Sequence, residues 1–562
     1  MQLGLAAFSL GWILVRLSRF NRFDLLVLIP VTAFVVLAVV HSRLIGRVTR
    51  CSRAIRFYEQ GIARIDGAWA GQGIGGERFL EASHPCARDL DLFGRASIFE
   101  LLCTARTRAG EETLARWLLV PAPPKEVFAR QGAAIELSTR VDFRESLAAM
   151  GEDVKLGVHP EALVTWGEAE PVFPSGIIRF LLPVLAVLWC FSVAAWFWRG
   201  WGLLLLTTSA INLAISYRFR GRLSQAAHAA EEAGHDLKLL SEILAAFEHE
   251  PCKSPRLQQL QTQLKPERLP PSRAIARLNL RVEFLESAHN LFVRVFDSFI
   301  FYRLQFVLAA ESWRRQFGGS LRVWLDAVGQ LEALAALGGY TYEHPEDVFP
   351  EFVEDAPCFA AQGLSHPLIP RAQAVSNDLR LSRDLQLMIV SGPNMAGKST
   401  FLRGIGVNAV LAQSGAPVRA TSLKLSPLAV TASICVLDSL EGGISRFYAE
   451  IHRLKQIMDL TDGPAPVLFL LDELLSGTNS HDRLIGTQSF LSQLIKKGAV
   501  GLVSTHDLAL TAIPQEIGSR AVNCHFEDHL EEGLLHFDYK LYPGVVQTSN
   551  ALGLMRSIGL QV

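Results

Sequence analysis

The apolar positions of this chain fall into three patterns, and each predicts a different element. Four runs carry no charged residue at all: 3–15, 25–40, 180–198 and 201–217. A helix needs about 20 apolar residues to cross a bilayer, with about 17 as the lower limit. The third and fourth runs meet that length. Only Arg199 and Gly200 separate them, which predicts a tight helical hairpin. Trp196, Trp198 and Trp201 crowd its turn, where amphipathic rings favour the headgroup region. Arg218, Arg220 and Arg222 follow at once and assign that end to the cytoplasm, because basic residues gather on the inner side of spans. Two further spans are expected at the front, although 3–15 is short and 25–40 contains Pro30. Arg43, Arg47, Arg50, Arg53 and Arg56 again suggest a cytoplasmic exit, whereas Arg16, Arg19 and Arg22 would fall in the outer loop. The first run therefore either lies in the interface or has the natural start upstream of it. No basic stretch precedes it and no small-residue cleavage site follows, unlike a signal peptide. The hairpin returns the chain to its starting side, leaving 43–174 and 218–562 together.

The second pattern has a period of three to four. Leu237, Leu240, Leu244 and Phe247 draw one apolar stripe along a helix. The stretches PCKSPRLQQL and KPERLPPSR interrupt the helical pattern as loops. Residues 292–310 are apolar but contain Arg294, Asp297 and Arg303, which predicts a buried or interhelical segment and not a fifth span. The third pattern begins after YEHPEDVFPEF. There LQLMIV, VLFLLD and AVGLVS alternate with helical stretches, as in a parallel sheet with crossover helices. The expected class is α plus α/β: hydrophobic segments at 1–42, a helical core at 43–344 interrupted by the hairpin at 180–217, and an α/β domain at 345–562.

Composition modifies this little. The chain has 562 residues, 49% of them hydrophobic, and a formal net charge of −1. No global basic excess advertises nucleic acid, so any DNA contact would need a local patch. Eight scattered cysteines without a C-x-x-C pair argue against a zinc site or disulfide framework. Free, mostly buried thiols in a reducing compartment are expected.

The chemistry concentrates in the last third. SGPNMAGKST contains Gly392, Gly397, Lys398 and Ser399 at the spacing G-x-x-x-x-G-K-[ST], after a strand at 385–390 and at the start of a helix. Such glycines let backbone N–H groups approach phosphates, and the helix N-terminus adds positive potential. Lys398 should reach the β- and γ-phosphates, and the Ser399 hydroxyl should ligate Mg²⁺. VLFLLDELLSGTNSHD ends a buried strand in Asp472 and Glu473. Asp472 would hold Mg²⁺ through water, and Glu473 would orient or deprotonate the attacking water. VSTHD puts His506 where it would sense the γ-phosphate.

Together GPNMAGKST, LLDELLSGTNSHD and STHD resemble the ATPase domain of the MutS DNA mismatch repair family. The resemblance assigns Gly392, Pro393, Asn394, Met395, Ala396, Gly397, Lys398, Ser399 and Thr400 to ATP binding. It gives Glu473, His506 and Lys398 catalytic roles, and Ser399 and Asp472 the metal. LSHPLI and VSNDLRL, containing His366 and Asn377, look like the family's lead-in near the adenine. GGISRFYAEI resembles its signature loop, in which Ser445 would reach the γ-phosphate of a dimer partner; Arg446 stands where the pattern has threonine. Asp482 falls in the dimer-facing loop. FDYKLYPGVVQTSNALGLM resembles the closing segment that leads to dimerising helices. Upstream, 89–123 and 324–337 look like the family's helical core, so the resemblance covers most of 80–555. The hairpin interrupts it, and the whole is similar to a membrane-anchored branch of the family.

The resemblance implies ATP and Mg²⁺ as cofactors, a homodimer through the ATPase domain, and a role in binding mismatched DNA. The residues do not themselves supply a mismatch reader. RFYEQG offers Phe57, Tyr58 and Glu59, but on a continuous juxtamembrane helix with no room for a reader domain before the core. The expected function is a membrane-anchored ATPase switch in the cell membrane with its ATPase domain cytoplasmic, acting in DNA repair. The alternative is the same switch serving a membrane or protein partner without DNA. An ABC-type transporter is disfavoured, because four runs make no substrate-sized membrane domain and GGISRFYAE replaces the transporter signature.

Overall fold

The computed structural model describes residues 28–546 apart from 151–159, 171, 174–176, 235–236, 266–268, 288–290, 356, 394, 435–445 and 532–533. The run at 3–15 therefore lies outside the described residues. A helical part ends at Glu343 and a part built on two sheets begins at Glu351.

Among the described residues three helices are long and apolar enough to cross a membrane: Thr32–Ile65, Ile178–Arg199 and Gly202–Glu231. The first belongs to one continuous helix, Leu28–Ile65, whose far half docks on the core. There the Arg64 guanidinium grips both oxygens of Glu343 at 2.6 Å, and Tyr58 donates to Glu145 at 2.6 Å. Tyr58 is thus committed to an intramolecular contact. The other two form the hairpin, in which Arg199 ends one helix and Gly202 starts the next. Ser192 and Thr208 hydroxyls lie 2.9 Å apart across it, and Trp189 Nε1 donates to Ser209 Oγ. These small polar pairs hold two otherwise greasy helices together.

Residues 292–310 are divided between two helices, Leu291–Ile300 and Tyr302–Phe317, broken at Phe301 with φ +55°. Gly318–Ser320 then leads into the long helix Leu321–Glu343. That helix packs on Arg108–Leu119 and Pro124–Ser138 to form the helical core. Close approach requires glycine: a Cβ at Gly329 would stand 2.6 Å from the Ala109 carbonyl oxygen. Beside it the buried Glu332 carboxylate accepts from the backbone N–H groups of Arg106 and Thr107, capping the start of Arg108–Leu119. Burial is the larger influence there and pushes its pKa up to about 7.

The expectation of mostly buried thiols is corrected in part. Of the seven described cysteines, all free, Cys86 and Cys524 are buried, Cys103, Cys252 and Cys358 are half-buried, and Cys51 and Cys190 are exposed. The exposed pair lies on helices whose outer faces no other element covers.

The described residues of the last part form ten strands: β1 (Glu351–Phe352), β2 (Phe359–Leu364), β3 (Asn377–Leu381), β4 (Leu387–Ser391), β5 (Ser422–Leu425), β6 (Ala429–Ser433), β7 (Val467–Asp472), β8 (Val500–Thr505), β9 (Ala521–Glu531) and β10 (Leu534–Pro543). The small sheet has the order β1-β5-β2-β3 and the large one β10-β9-β4-β8-β7-β6. In the large sheet β9, β4, β8, β7 and β6 are parallel, so their carboxyl ends share one edge.

Candidate nucleotide site

The site lies at that edge, as expected of parallel α/β sheets. The fully buried β4 delivers the chain to Gly392. Gly392 has φ +146°, and a Cβ there would meet the Phe526 carbonyl oxygen at 2.7 Å. Only glycine makes this turn. Gly397, at φ +95°, turns the chain again into helix Lys398–Ser414, whose first N–H groups have no intrahelical acceptor. Lys398 Nζ folds back to donate to the carbonyls of Gly392 at 2.9 Å and Pro393 at 2.8 Å. Burial lowers its pKa, while Asp472 and Glu473 act in the opposite direction.

β7 carries Asp472 to the same edge, in register with Ser504 on β8. Ser399 Oγ donates to Asp472 Oδ2 at 2.5 Å, and Ser504 Oγ donates to Oδ1. One carboxylate is therefore held between two hydroxyls from neighbouring elements. Glu473 takes the left-handed conformation at φ +49°, anchored by its N–H to the Ser504 carbonyl. Such backbone in a non-glycine residue costs on the order of 1 kcal/mol or more and collects at functional sites. His506 Nδ1 lies 3.0 Å from Glu473 Oε1, both side chains partly open to solvent.

A cavity of about 590 Å³ opens in front of this edge, within the range of small-molecule sites. Lys398, Ser399, Thr400 and Glu473 line it together with His366, Gln373 and Tyr539. His366 is buried, and burial followed by Arg403 and Arg419 pushes its pKa down to about 4. Its neutral ring accepts the Leu368 N–H at Nδ1. Tyr539 sits at a bulge of β10 with φ +55°, its ring against Gly397. The Asn377 side chain pins the bulge, donating to the Tyr539 carbonyl at 3.0 Å and accepting from the Leu541 N–H at 2.8 Å.

Gly392, Pro393, Ala396, Gly397, Lys398, Ser399, Thr400, Asp472, Glu473 and His506 thus meet at one edge. Met395 is exposed at the rim. Asp482 does not line the cavity of its own chain; it is exposed in the first turn of helix Ser480–Lys496, with Asn479 Nδ2 donating to its Oδ2 at 2.7 Å. Asn394 and Ser445 lie outside the described residues. Sequence reasoning missed Ser504 and Tyr539: the first is identified by strand register and the second by the bulge. Among the described residues no cluster of three His, Cys, Asp or Glu is present. The Ser399–Asp472 pair suits a Mg²⁺ ion that takes few protein ligands and completes its shell with phosphate oxygens and water.

Residues 388–561 match the family model of MutS domain V. Endonuclease MutS2 of Thermus thermophilus is 34% identical over 197 residues, 35% of this chain and 25% of that protein. The DNA mismatch repair protein MutS of the same species is 33% identical over 256 residues, 45% of this chain and 30% of its own length. That of Natronomonas pharaonis is 31% identical over 243 residues, 42% and 27% of the two chains. The matches therefore span under a third of each of these relatives.

Proposed function

We propose that this chain, which belongs to the MutS family through its C-terminal domain, is a membrane-anchored ATP hydrolase whose nucleotide cycle opens and closes a dimer. The observation that carries the reading is the Ser399–Asp472–Ser504 cluster beside the Glu473–His506 pair, with Ser399 and Glu473 lining the cavity. ATP fits with its phosphates at the N-terminus of helix Lys398–Ser414 and its base toward His366 and Tyr539. There the Tyr539 ring offers a stacking face and the neutral His366 ring a hydrogen-bonding edge. Ser399 and Asp472 would hold Mg²⁺, which would supply charge neutralisation at the phosphates. Lys398 exchanges its carbonyl partners for phosphate oxygens, which a partly desolvated ammonium favours. Glu473 takes a proton from water as the water oxygen bonds to the γ-phosphorus and the bond to the β–γ bridging oxygen breaks. His506 holds the Glu473 carboxylate in place. Ser445 and Asp482 of a second copy would complete the site.

The hairpin and the helix Leu28–Ile65 supply the anchor, with their uncovered apolar faces in lipid. The relatives' names support a role in DNA repair. The specific observation favouring the second reading, a switch for a membrane or protein partner, is Tyr58: it is bonded to Glu145 on a continuous helix, where a base-reading aromatic would have to be free.

The test is ATP hydrolysis by the full-length protein in lipid nanodiscs. Glu473→Gln is expected to lower turnover about 10²–10⁴-fold, the usual contribution of a positioned base, while retaining ATP binding. Wild-type turnover in that variant would overturn the assignment. Titration with matched and mismatched duplexes across a salt series separates the two readings. Nucleotide-dependent binding with a steep salt slope supports repair, and flat negligible binding supports the other partner.

A further inference from the structure

The break at Phe301 lies beside the hairpin, not out in the helical core. Trp189 of the hairpin stacks on Phe299 with ring centroids 5.1 Å apart and planes 13° from parallel, and it touches Phe296 at 6.5 Å. Trp189 is near the middle of helix Ile177–Arg199. At 1.5 Å rise per residue, it stands about 15 Å from the tip, half the thickness of a bilayer's hydrocarbon core. The hairpin cannot span a membrane without bringing the end of helix Leu291–Ile300 to the same depth.

We propose that the broken helix around 296–301 is a third membrane element, one that enters the bilayer beside the hairpin and turns back without crossing, its outer side facing acyl chains. This rests on the reading of the hairpin as membrane-spanning and extends it. A helix that stops in hydrocarbon leaves its last carbonyls without intrahelical donors, which hydrocarbon cannot replace. Here the carbonyls of Ser298, Phe299 and Ile300 each have a side-chain donor. Asn212, 1% exposed, donates to the Phe299 carbonyl at 2.7 Å; Ser216 donates to Ser298 at 2.8 Å; Gln305 donates to Ile300 at 2.7 Å. Two of the three donors come from the hairpin itself, which explains why an otherwise apolar run carries Asn212. Asp297, 7% exposed, accepts from the Arg303 N–H at 2.9 Å and from its Nε at 2.7 Å, so the ion pair closes the break and neutralises the acid. Irregular backbone at membrane depth survives only when protein groups satisfy it in this way.

The occupant of the outer side is lipid, argued from continuity. Phe296 is 49% exposed and touches Trp189, whose neighbours Leu188 and Val187 are exposed apolar side chains of the hairpin. The element therefore extends the same uncovered apolar surface. On its other side, helix Tyr302–Phe317 leads through Gly318–Ser320 into the long helix of the core. The element is thus joined to the core through continuous helical chain.

The test places a photoreactive benzoylphenylalanine at position 296, 187 or 323 of the full-length protein in vesicles of palmitoyl-oleoyl phosphatidylcholine. Val187 reports the hairpin, and Val323, exposed on the long helix, reports water. Irradiation followed by intact mass measurement is expected to give lipid adducts at 296 and 187 and none at 323. Adducts at 187 but not at 296 would overturn this inference and leave the membrane reading standing. A cross-link from 296 to a second copy would overturn lipid as the occupant. Absence of adducts at both 296 and 187 would remove the membrane reading, and the inference with it.

Discussion

VLFLLD in β7 and LLPVLAVL in the hairpin are almost interchangeable by composition, yet they have opposite fates. Leu468, Phe469, Leu470 and Leu471 are completely buried, whereas Val184, Val187 and Phe191 are 60% exposed or more. The first stretch lies between two parallel strands and under helices. The second has one partner helix and a short broken one. The same hydrophobic free energy must be satisfied by protein in one case and by another apolar medium in the other. Apolar content marks both segments, but only burial tells which solvent each one expects.

One substitution made in both places sharpens the comparison. Leu470→Lys should cost on the order of 5 kcal/mol and leave no cooperative melt, because an unpaired charge would enter a filled sheet. Val187→Lys should leave the ATPase domain folded and cost about 3 kcal/mol of membrane insertion, measurable as lost resistance to alkaline extraction. If the hairpin faced water, the same change would fall within about 0.5 kcal/mol and extraction would not alter.

A smaller or similar effect should come from the helical core. Folding raises the Glu332 pKa to about 7, so the native state binds its proton more tightly than the unfolded chain does. Its contribution is fully present below the ordinary glutamate range and is lost as pH rises toward 7, on the order of 3 kcal/mol. Glu332→Gln should flatten that part of the stability profile between about pH 4.5 and 7.5, read by thermal unfolding. An unchanged slope would mean that the carboxyl is ionised in the fold.

The smallest expected effect is at the cavity. Gly397→Ala asks an L-residue to adopt φ +95° with its Cβ 3.0 Å from Tyr539 Cδ1. About 1–3 kcal/mol of strain follows, a roughly tenfold or greater loss of ATP affinity with the sheet intact. Isothermal titration would reveal it, and wild-type affinity would mean that Tyr539 swings clear.

Legibility in the sequence followed covalent proximity. Lys398 and Ser399 stand in one short motif with the turn that aims them, and Asp472 ends a strand whose apolar run is unmistakable. The stripe Leu237, Leu240, Leu244 and Phe247 was readable because a helix repeats its buried face, and all four are buried. What stayed hidden depends on neighbours distant in sequence. Ser504 meets Asp472 only through strand register. Tyr539 reaches Gly397 only because Asn377 pins a bulge 162 residues away. The break at Phe301 has no glycine or proline to announce it. It exists because Asn212 and Ser216 receive the carbonyls it exposes.

The helix Leu28–Ile65 has a further consequence. Between Arg43, the first charge after its apolar stretch, and Arg64, clamped to Glu343, lie about 21 residues, or roughly 30 Å of rod. On the membrane reading this rod fixes a standing height. With the rod upright, the Arg64–Glu343 clamp on the helical core stands some 30 Å from the headgroups, and the contacts of Tyr58 and Arg53 bring the core nearer to them along the same rod.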